Sequence, residues 1–318
     1  MLRSRAGLSL LLLLWLGLGG CRQPSAESLR RDGRPLVLTS FTVLADLARQ
    51  VAGDRLQVHS ITRQGAEIHS YEPTPADVAA AKGADLILLN GFGLERWAQR
   101  FLANAGPGVP SAVLSSGMTP LPIASGNAGG KPNPHAWMSP RRTQHYVDRL
   151  VEAFSQLDPA GAAIYRRNGQ RYQRQLQQLD AELRRSLQQL PPARRLLVTC
   201  EGAFSYLARD YGLDEAYLWP VNGESQITPR RMAVLVRSVQ RRRVPAVFCE
   251  STANDGPQRQ VARSAGARFG GTFYVDSLSA PTGPAPTLLQ LQRHNVGLII
   301  QGLAAPIATP APTPSAAP

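Results

Sequence analysis

Apolar residues along this chain fall into short runs separated by helix-spaced segments, and one long stretch interrupts the alternation. From Pro159 to Leu190 it reads PAGAAIYRRNGQRYQRQLQQLDAELRRSLQQL, with Leu176, Leu179, Leu183, Leu187 and Leu190 stepping by three and four residues. That is the spacing of one face of an α-helix. The other positions are mostly Arg, Gln, Asp and Glu, with Asp158 and Pro159 as a start signal and Pro191 and Pro192 as a stop. An unbroken helix of roughly 30 residues spans about 45 Å at 1.5 Å per residue. The periodicity alone equally suits an amphipathic surface helix or a coiled-coil arm. The segments on either side favour a rigid connector between two halves.

In the first half, Leu36 to Thr39 reads as a strand, Ser40 to Val51 as a helix closing near Gly53, and Leu56 to Ile61 as a strand. Thr74, Pro75 and Asp77 form a helix-start signature leading to Lys82. Leu86 to Leu89 is then a strand, Leu94 to Ala103 a helix, Ala112 to Leu114 a strand, and Ser139 with Pro140 opens a helix to about Leu157. The pattern recurs after the long helix. Strands are expected at Leu196 to Thr199, Ala216 to Trp219, Ala246 to Phe248 and Thr272 to Val275. Helices are expected at Phe204 to Tyr211, from Thr228 and Pro229 onward, at Gln258 to Ala265 and from Thr287 to about Gly302. Alternation of this kind predicts an α/β protein of two lobes, each a parallel sheet flanked by helices. The expected boundaries are a lobe over 35–158, the connecting helix over 159–190, a second lobe over 191–305 and a Pro/Ala/Thr-rich disordered tail over 306–318.

The amino terminus changes the compartment. Arg3 and Arg5 precede an apolar run from Leu8 to Leu18, then Gly19, Gly20 and Cys21. The run suits a signal peptide over 1–20 and is too short for a permanent span. Leu18-Gly19-Gly20-Cys21 has the form of a lipobox, which predicts a lipid on Cys21 and a polar tether over 21–34. An extracytoplasmic lipoprotein on the periplasmic face of the cell membrane is therefore expected. The net charge is +13, and removal of the two signal-peptide arginines leaves +11. The arginines are dispersed, with clusters only at Arg30, Arg31 and Arg34 and at Arg241 to Arg243, and no aromatic-interleaved stripe. No nucleic-acid partner is expected; a solvated basic surface near lipid headgroups is. Cys200 and Cys249 each end an apolar strand-like run and each precede a Glu. In an oxidising compartment they are a disulfide candidate if the strand ends are neighbours, the alternative being two buried thiols.

Ligands in open α/β sheets bind beyond the carboxyl ends of the strands. Those loops offer His69 and His135 in the first half and Glu201 and Asp276 in the second. Two imidazoles and two carboxylates make a first coordination shell for a divalent transition metal. Glu250 follows the equivalent strand end and competes with Glu201 or supports it, while His59, His145 and His294 are read as structural.

Around these residues stand GAEIHSYEPTPAD, NPHAWMSP, VTCEGAFSYLARDYGL and GTFYVDSLS. They resemble the four ligand motifs of the solute-binding lipoproteins of manganese, zinc and iron ABC importers, over about Leu36 to Leu303 and including GPAPTLLQLQRHN. The resemblance implies two lobes joined by one long helix with the metal between them, and ligand roles for His69, His135, Glu201 and Asp276. It also implies a monomer that works with an ABC permease and its ATPase and has no enzymatic activity. Zinc receptors of the family typically carry His at the third ligand position and a His-rich acidic loop before the second motif. Here Glu201 takes that position, and Thr119 to Lys131 contains no His. A second carboxylate suits Mn²⁺. Manganese is thus the expected cargo, with iron second and zinc a tight competitor. The rivals are a metal-stabilised surface adhesin and a metal-dependent hydrolase, which needs an open coordination position.

Overall fold

The computed structural model describes residues 33–305, apart from 107, 125–127 and 223–226. The signal peptide, Cys21, most of the tether and the Pro-rich tail lie outside the described residues. The first half contains β1 (Leu36–Thr39), α1 (Thr42–Ala52), β2 (Gln57–Ser60), α2 (Pro75–Lys82), β3 (Leu86–Leu89), α3 (Ala98–Ala105), β4 (Ser111–Val113) and α4 (Pro140–Leu157). Its strands form one parallel sheet in the order β2-β1-β3-β4. The central strands, LVLT and LILL, are buried at every position. Uninterrupted apolar runs of this kind need cover on both faces of the sheet.

A single 3₁₀ turn, Pro159–Gly161, precedes α5 (Ala162–Gln188), so the expected long helix is regular over 27 residues. Asp158 sets its start. Its carboxylate takes two hydrogen bonds from the Arg55 guanidinium, at 2.8 and 2.9 Å, and one from the Tyr165 hydroxyl at 2.6 Å. The leucine face is buried throughout, together with Tyr165, Asn168, Gly169 and Tyr172. It packs on α1 and α4 of the first half and on later helices of the second. A methyl group on Gly169 would come within 2.6 Å of Val151 on α4, so that crossing depends on the missing side chain. The helix is consequently a wall shared by both cores rather than a bare rod.

The second half contains β5 (Leu196–Glu201), α6 (Ser205–Tyr211), β6 (Asp214–Trp219), α7 (Pro229–Arg241), β7 (Ala246–Glu250), α8 (Gly256–Ala265), β8 (Arg268–Phe273) and α9 (Leu288–Ala304). Ladders join β5 to β6 and β7 to β8, both parallel. Between β5 and β7 the connection is different. A disulfide links Cys200 to Cys249 with their Cα atoms 4.8 Å apart, the spacing of neighbouring strands. The Gln258 amide on α8 donates to the Val198 carbonyl on β5 at 3.2 Å and to the Phe248 carbonyl on β7 at 2.9 Å.

Two elements depart from the periodicity. The helix expected from Leu94 begins at Ala98, because the Glu95 carboxylate turns back to accept the Asn90 and Gly91 backbone N–H groups. The strand expected over Thr272 to Val275 lies at Arg268–Phe273 and carries a bulge opposite Val247 and Phe248. Gly270 makes that room, since a Cβ there would sit 2.4 Å from the Phe248 ring. The strand stops where the Asn295 side chain takes over both backbone groups of Tyr274.

Leu179→Ala, at a fully buried position, should lower stability by about 2–5 kcal/mol in urea denaturation; a loss below about 1 kcal/mol would show that the face is not shared core. Mass spectrometry of the unreduced protein should recover Cys200 and Cys249 in one cross-linked peptide, whereas two alkylatable thiols would contradict the bridge.

Candidate metal centre

Each of the four candidate residues sits at or beyond the carboxyl end of a strand. His69 lies in the loop between β2 and α2, whose backbone is shaped by Glu67: its carboxylate accepts the His69 and Ser70 N–H groups, both at 2.8 Å. The Trp97 indole adds a hydrogen bond to the Ile68 carbonyl at 3.0 Å. His135 precedes a 3₁₀ turn, Ala136–Met138. Asn133 holds it, accepting the His135 backbone N–H at 3.0 Å and meeting ring Nδ1 at 2.9 Å. The Asn133 amide nitrogen is committed to the Gly202 carbonyl at 2.7 Å, so its oxygen faces the ring. Nδ1 therefore carries the proton, and the Nε2 lone pair points into the cluster.

Glu201 is the last residue of β5. Its Oε1 accepts the Asn222 backbone N–H at 2.7 Å, and its own N–H donates to Glu250 Oε2 at 3.1 Å. Asp276 follows β8, with Oδ2 3.4 Å from the Asn222 amide nitrogen and 3.5 Å from the Thr252 hydroxyl. The four groups converge from both halves, with one ligand-type atom of each within 4.8 Å of all the others. His69 Nε2 is 3.3 Å from Glu201 Oε1 and 3.9 Å from Asp276 Oδ2; His135 Nε2 is 3.5 Å from Glu201 Oε1 and 3.7 Å from Asp276 Oδ1. None of the four is more than 1% exposed.

The donors face one another unsatisfied. Both ring nitrogens of His69, Nε2 of His135, Oε2 of Glu201 and Oδ1 of Asp276 make no hydrogen bond of normal geometry. Buried polar groups are otherwise almost always paired, so a clustered set of exceptions calls for an ion. Burial lowers the His135 imidazole to about 4, with Glu201 opposing. Burial also pulls His69 down, but the Glu201 and Asp276 carboxylates outweigh it and raise the ring to about 9. Asp276 is raised to about 8 by burial and by the charge of Glu201. Glu201 stays below its usual range: burial pushes it up, and the two imidazoles and the Asn222 N–H more than offset this. Glu250, buried and beside Glu201, is pushed well up and does not reach the four-atom cluster.

Residues that support this geometry were only partly visible in the motifs. Asn133 and Trp137 flank His135 within NPHAWMSP. The Trp137 ring packs on His135 and Phe41 at 5.2 and 5.0 Å, and its indole N–H donates to the Val275 carbonyl, next to Asp276, at 3.1 Å. Asn222 and Thr252 carry no local pattern beyond following the ends of β6 and β7. Of the other histidines, His145 bonds the Ser116 carbonyl and His294 the Thr272 carbonyl, at 2.8 and 3.1 Å; His59 is half-buried on β2. His69 also lines a surface cleft of about 910 Å³ with Tyr71, Trp97 and Arg100, so solvent approaches the cluster from its side.

Known proteins place this arrangement in a family. The family described as zinc-uptake complex component A, periplasmic, matches residues 37–302. The iron-binding protein YfeA of Yersinia pestis is 48% identical over 266 residues, covering 84% of this chain and 85% of its own. The manganese-binding lipoprotein MntA of Halalkalibacterium halodurans is 32% identical over 273 residues, covering 86% of this chain and 90% of its own. A Mn-bound periplasmic metal-binding protein from Candidatus Liberibacter asiaticus superposes with a TM-score of 0.79 at 34% identity, covering 85% of this chain and 100% of the other. Two parallel-sheet lobes, a long connecting helix and these relatives lead to one assignment: the chain belongs to the zinc-uptake complex component A family of extracytoplasmic metal-binding receptors of ABC importers, not to the enzymes.

Proposed function

We propose that this receptor captures Mn²⁺ between its lobes with His69, His135, Glu201 and Asp276 as ligands and delivers it to an ABC permease for import. The observation that carries the reading is the buried set of four side chains, two from each lobe, in which His69 Nε2, His135 Nε2, Glu201 Oε2 and Asp276 Oδ1 have no hydrogen-bond partner. Neutral imidazole nitrogens and two carboxylates neutralise a divalent charge, and carboxylates able to chelate through both oxygens suit the five- or six-fold coordination of manganese. Fe²⁺ fits the same donors, and an iron-binding name attaches to a relative at 48% identity. Zn²⁺ binds most N/O sites more tightly than Mn²⁺, so selection here rests on geometry and supply. Glu250 holds the Glu201 backbone, and Asn133 fixes the His135 tautomer; both act through a ligand rather than on the ion. The working form is a monomer, tethered through a lipid on Cys21.

Glu201→Ala and Asp276→Ala should each reduce Mn²⁺ affinity in isothermal titration by about 100-fold or more, and Asn133→Ala by about 10–100-fold. Unchanged affinity in both carboxylate variants would sink the ligand assignment. Elemental analysis of receptor purified from its native envelope should find manganese in excess of iron and zinc; a predominance of zinc would overturn the choice of cargo.

Protonation sets the pH dependence. In the ion-free protein His69 and Asp276, raised to about 9 and about 8, both hold protons at pH 7. The ion binds only the deprotonated forms. Capture at pH 7 should therefore release about two protons, and affinity should rise with pH up to about 9. Titrations in buffers of different ionisation enthalpy read the release; affinity independent of pH between 6 and 9 would contradict it.

A further inference from the structure

At the opposite edge of the first sheet from the metal centre, below the start of β1, lies a cleft of about 710 Å³. Four arginines, Arg34, Arg55, Arg167 and Arg171, line it against two carboxylates, Asp54 and Asp158. Asp158 is already committed, to Arg55 and to the Tyr165 hydroxyl. Arg34 donates to the backbone carbonyl of Asp54 at 2.8 Å. Arg167 and Arg171 are exposed one turn apart on α5, and neither has a hydrogen bond or ion pair among the described residues. Like charges at this spacing repel. Converging on a concave surface, they focus positive potential there, and the guanidinium fork matches phosphate oxygens.

We propose that this cleft binds the phosphate of an anionic lipid headgroup. The occupant is argued from the chain that leads to it. Gly33 and Arg34 form part of the cleft wall, and residues 22–32 connect them to Cys21. Eleven residues reach at most about 40 Å, so a lipid on Cys21 keeps the cleft within that distance of the bilayer; this step rests on the lipid anchor proposed above. The residual charge of the mature chain is attracted to the same surface. Because the cleft lies at the amino ends of the strands and the metal donors at their carboxyl ends, a headgroup held there directs the metal centre away from the bilayer. The receptor rests facing the solvent that supplies its ion and lets go of the headgroup to meet the permease.

The test is vesicle co-sedimentation of the Mn²⁺-loaded mature chain carrying Cys21→Ser, at about 0.1 M salt. Phosphatidylglycerol/phosphatidylcholine vesicles should bind it and pure phosphatidylcholine should not. Arg167→Gln with Arg171→Gln should weaken binding by about 25-fold, about fivefold for each basic residue near the surface. Arg237→Gln with Arg241→Gln removes the same charge at the same spacing from α7 and should change binding by less than about twofold. Equal losses in the two double variants would reduce the effect to net charge and overturn the proposal, as would binding indifferent to phosphatidylglycerol. Inorganic phosphate saturating the wild type while vesicles fail to bind would assign the cleft to the free anion and also overturn it. Mn²⁺ titration of the same variants should be unchanged, and intact-mass analysis of Cys21 from native membranes reads the anchor separately, so failure of the metal or anchor reading is distinguishable from failure of the cleft.

Discussion

Four polar side chains buried at one point, each with at least one atom left without a hydrogen bond, are the constraint around which this molecule is built. Removing a carboxylate from water costs several kcal/mol even after relaxation. Here two carboxylates stand within 4.8 Å of each other's imidazole neighbours, and at least one atom of each residue has no hydrogen bond. With protons on His69 and Asp276, the cluster sets an imidazolium 3.3 Å from the Glu201 carboxylate, which offsets part of that cost. The fold holds the four side chains together at or beyond the carboxyl ends of β2, β4, β5 and β8, beside a hydrophobic core.

Bonds across the lobe boundary show how the closed arrangement persists. The Thr42 hydroxyl accepts the Leu278 N–H at 2.9 Å, and Asp46 accepts the Leu288 N–H at the start of α9 at 2.8 Å. Ser277 receives the Gly65 N–H at 2.7 Å, and the Tyr206 hydroxyl donates to the Asn133 carbonyl at 2.8 Å. The Gln292 amide donates to the Trp137 carbonyl at 2.6 Å. A wide clamshell opening would break all of these and expose the leucine face of α5 as well. Movement of the loop that carries His69, next to a solvent cleft, breaks far fewer. The joining helix therefore constrains by packing on both sides, where its periodicity alone suggested only stiffness.

Much of this could be read before any coordinates. Short apolar runs gave β1, β3, β5 and β7 because strands buried at every position leave no polar alternation, and the leucine spacing of α5 followed directly from helical geometry. The convergence of His69, His135, Glu201 and Asp276 was legible because ligands in this architecture gather at strand ends. Less legible were features set by distant side chains. Glu95 delays α3 by folding onto Asn90 and Gly91, and Asn295 ends β8 by substituting for a strand partner; neither leaves a mark in local propensity. Asn222 and Thr252 reach Asp276 only after the chain has folded. The cleft at the foot of β1 leaves no local motif, since its arginines come from three separate segments.

The second lobe has a seam. Glu201 belongs to the β5-β6 pair and Asp276 to the loop after the β7-β8 pair; the bonds that cross between the pairs include the covalent bridge, the Gln258 amide, the Glu250 contact and Asn222, whose N–H meets Glu201 Oε1 and whose amide nitrogen stands 3.4 Å from Asp276 Oδ2. A continuous ladder would fix the gap between the two carboxylates as rigidly as it fixes strand spacing. With a bridge and side-chain bonds in its place, a small rotation between the pairs would change that gap without unzipping a ladder.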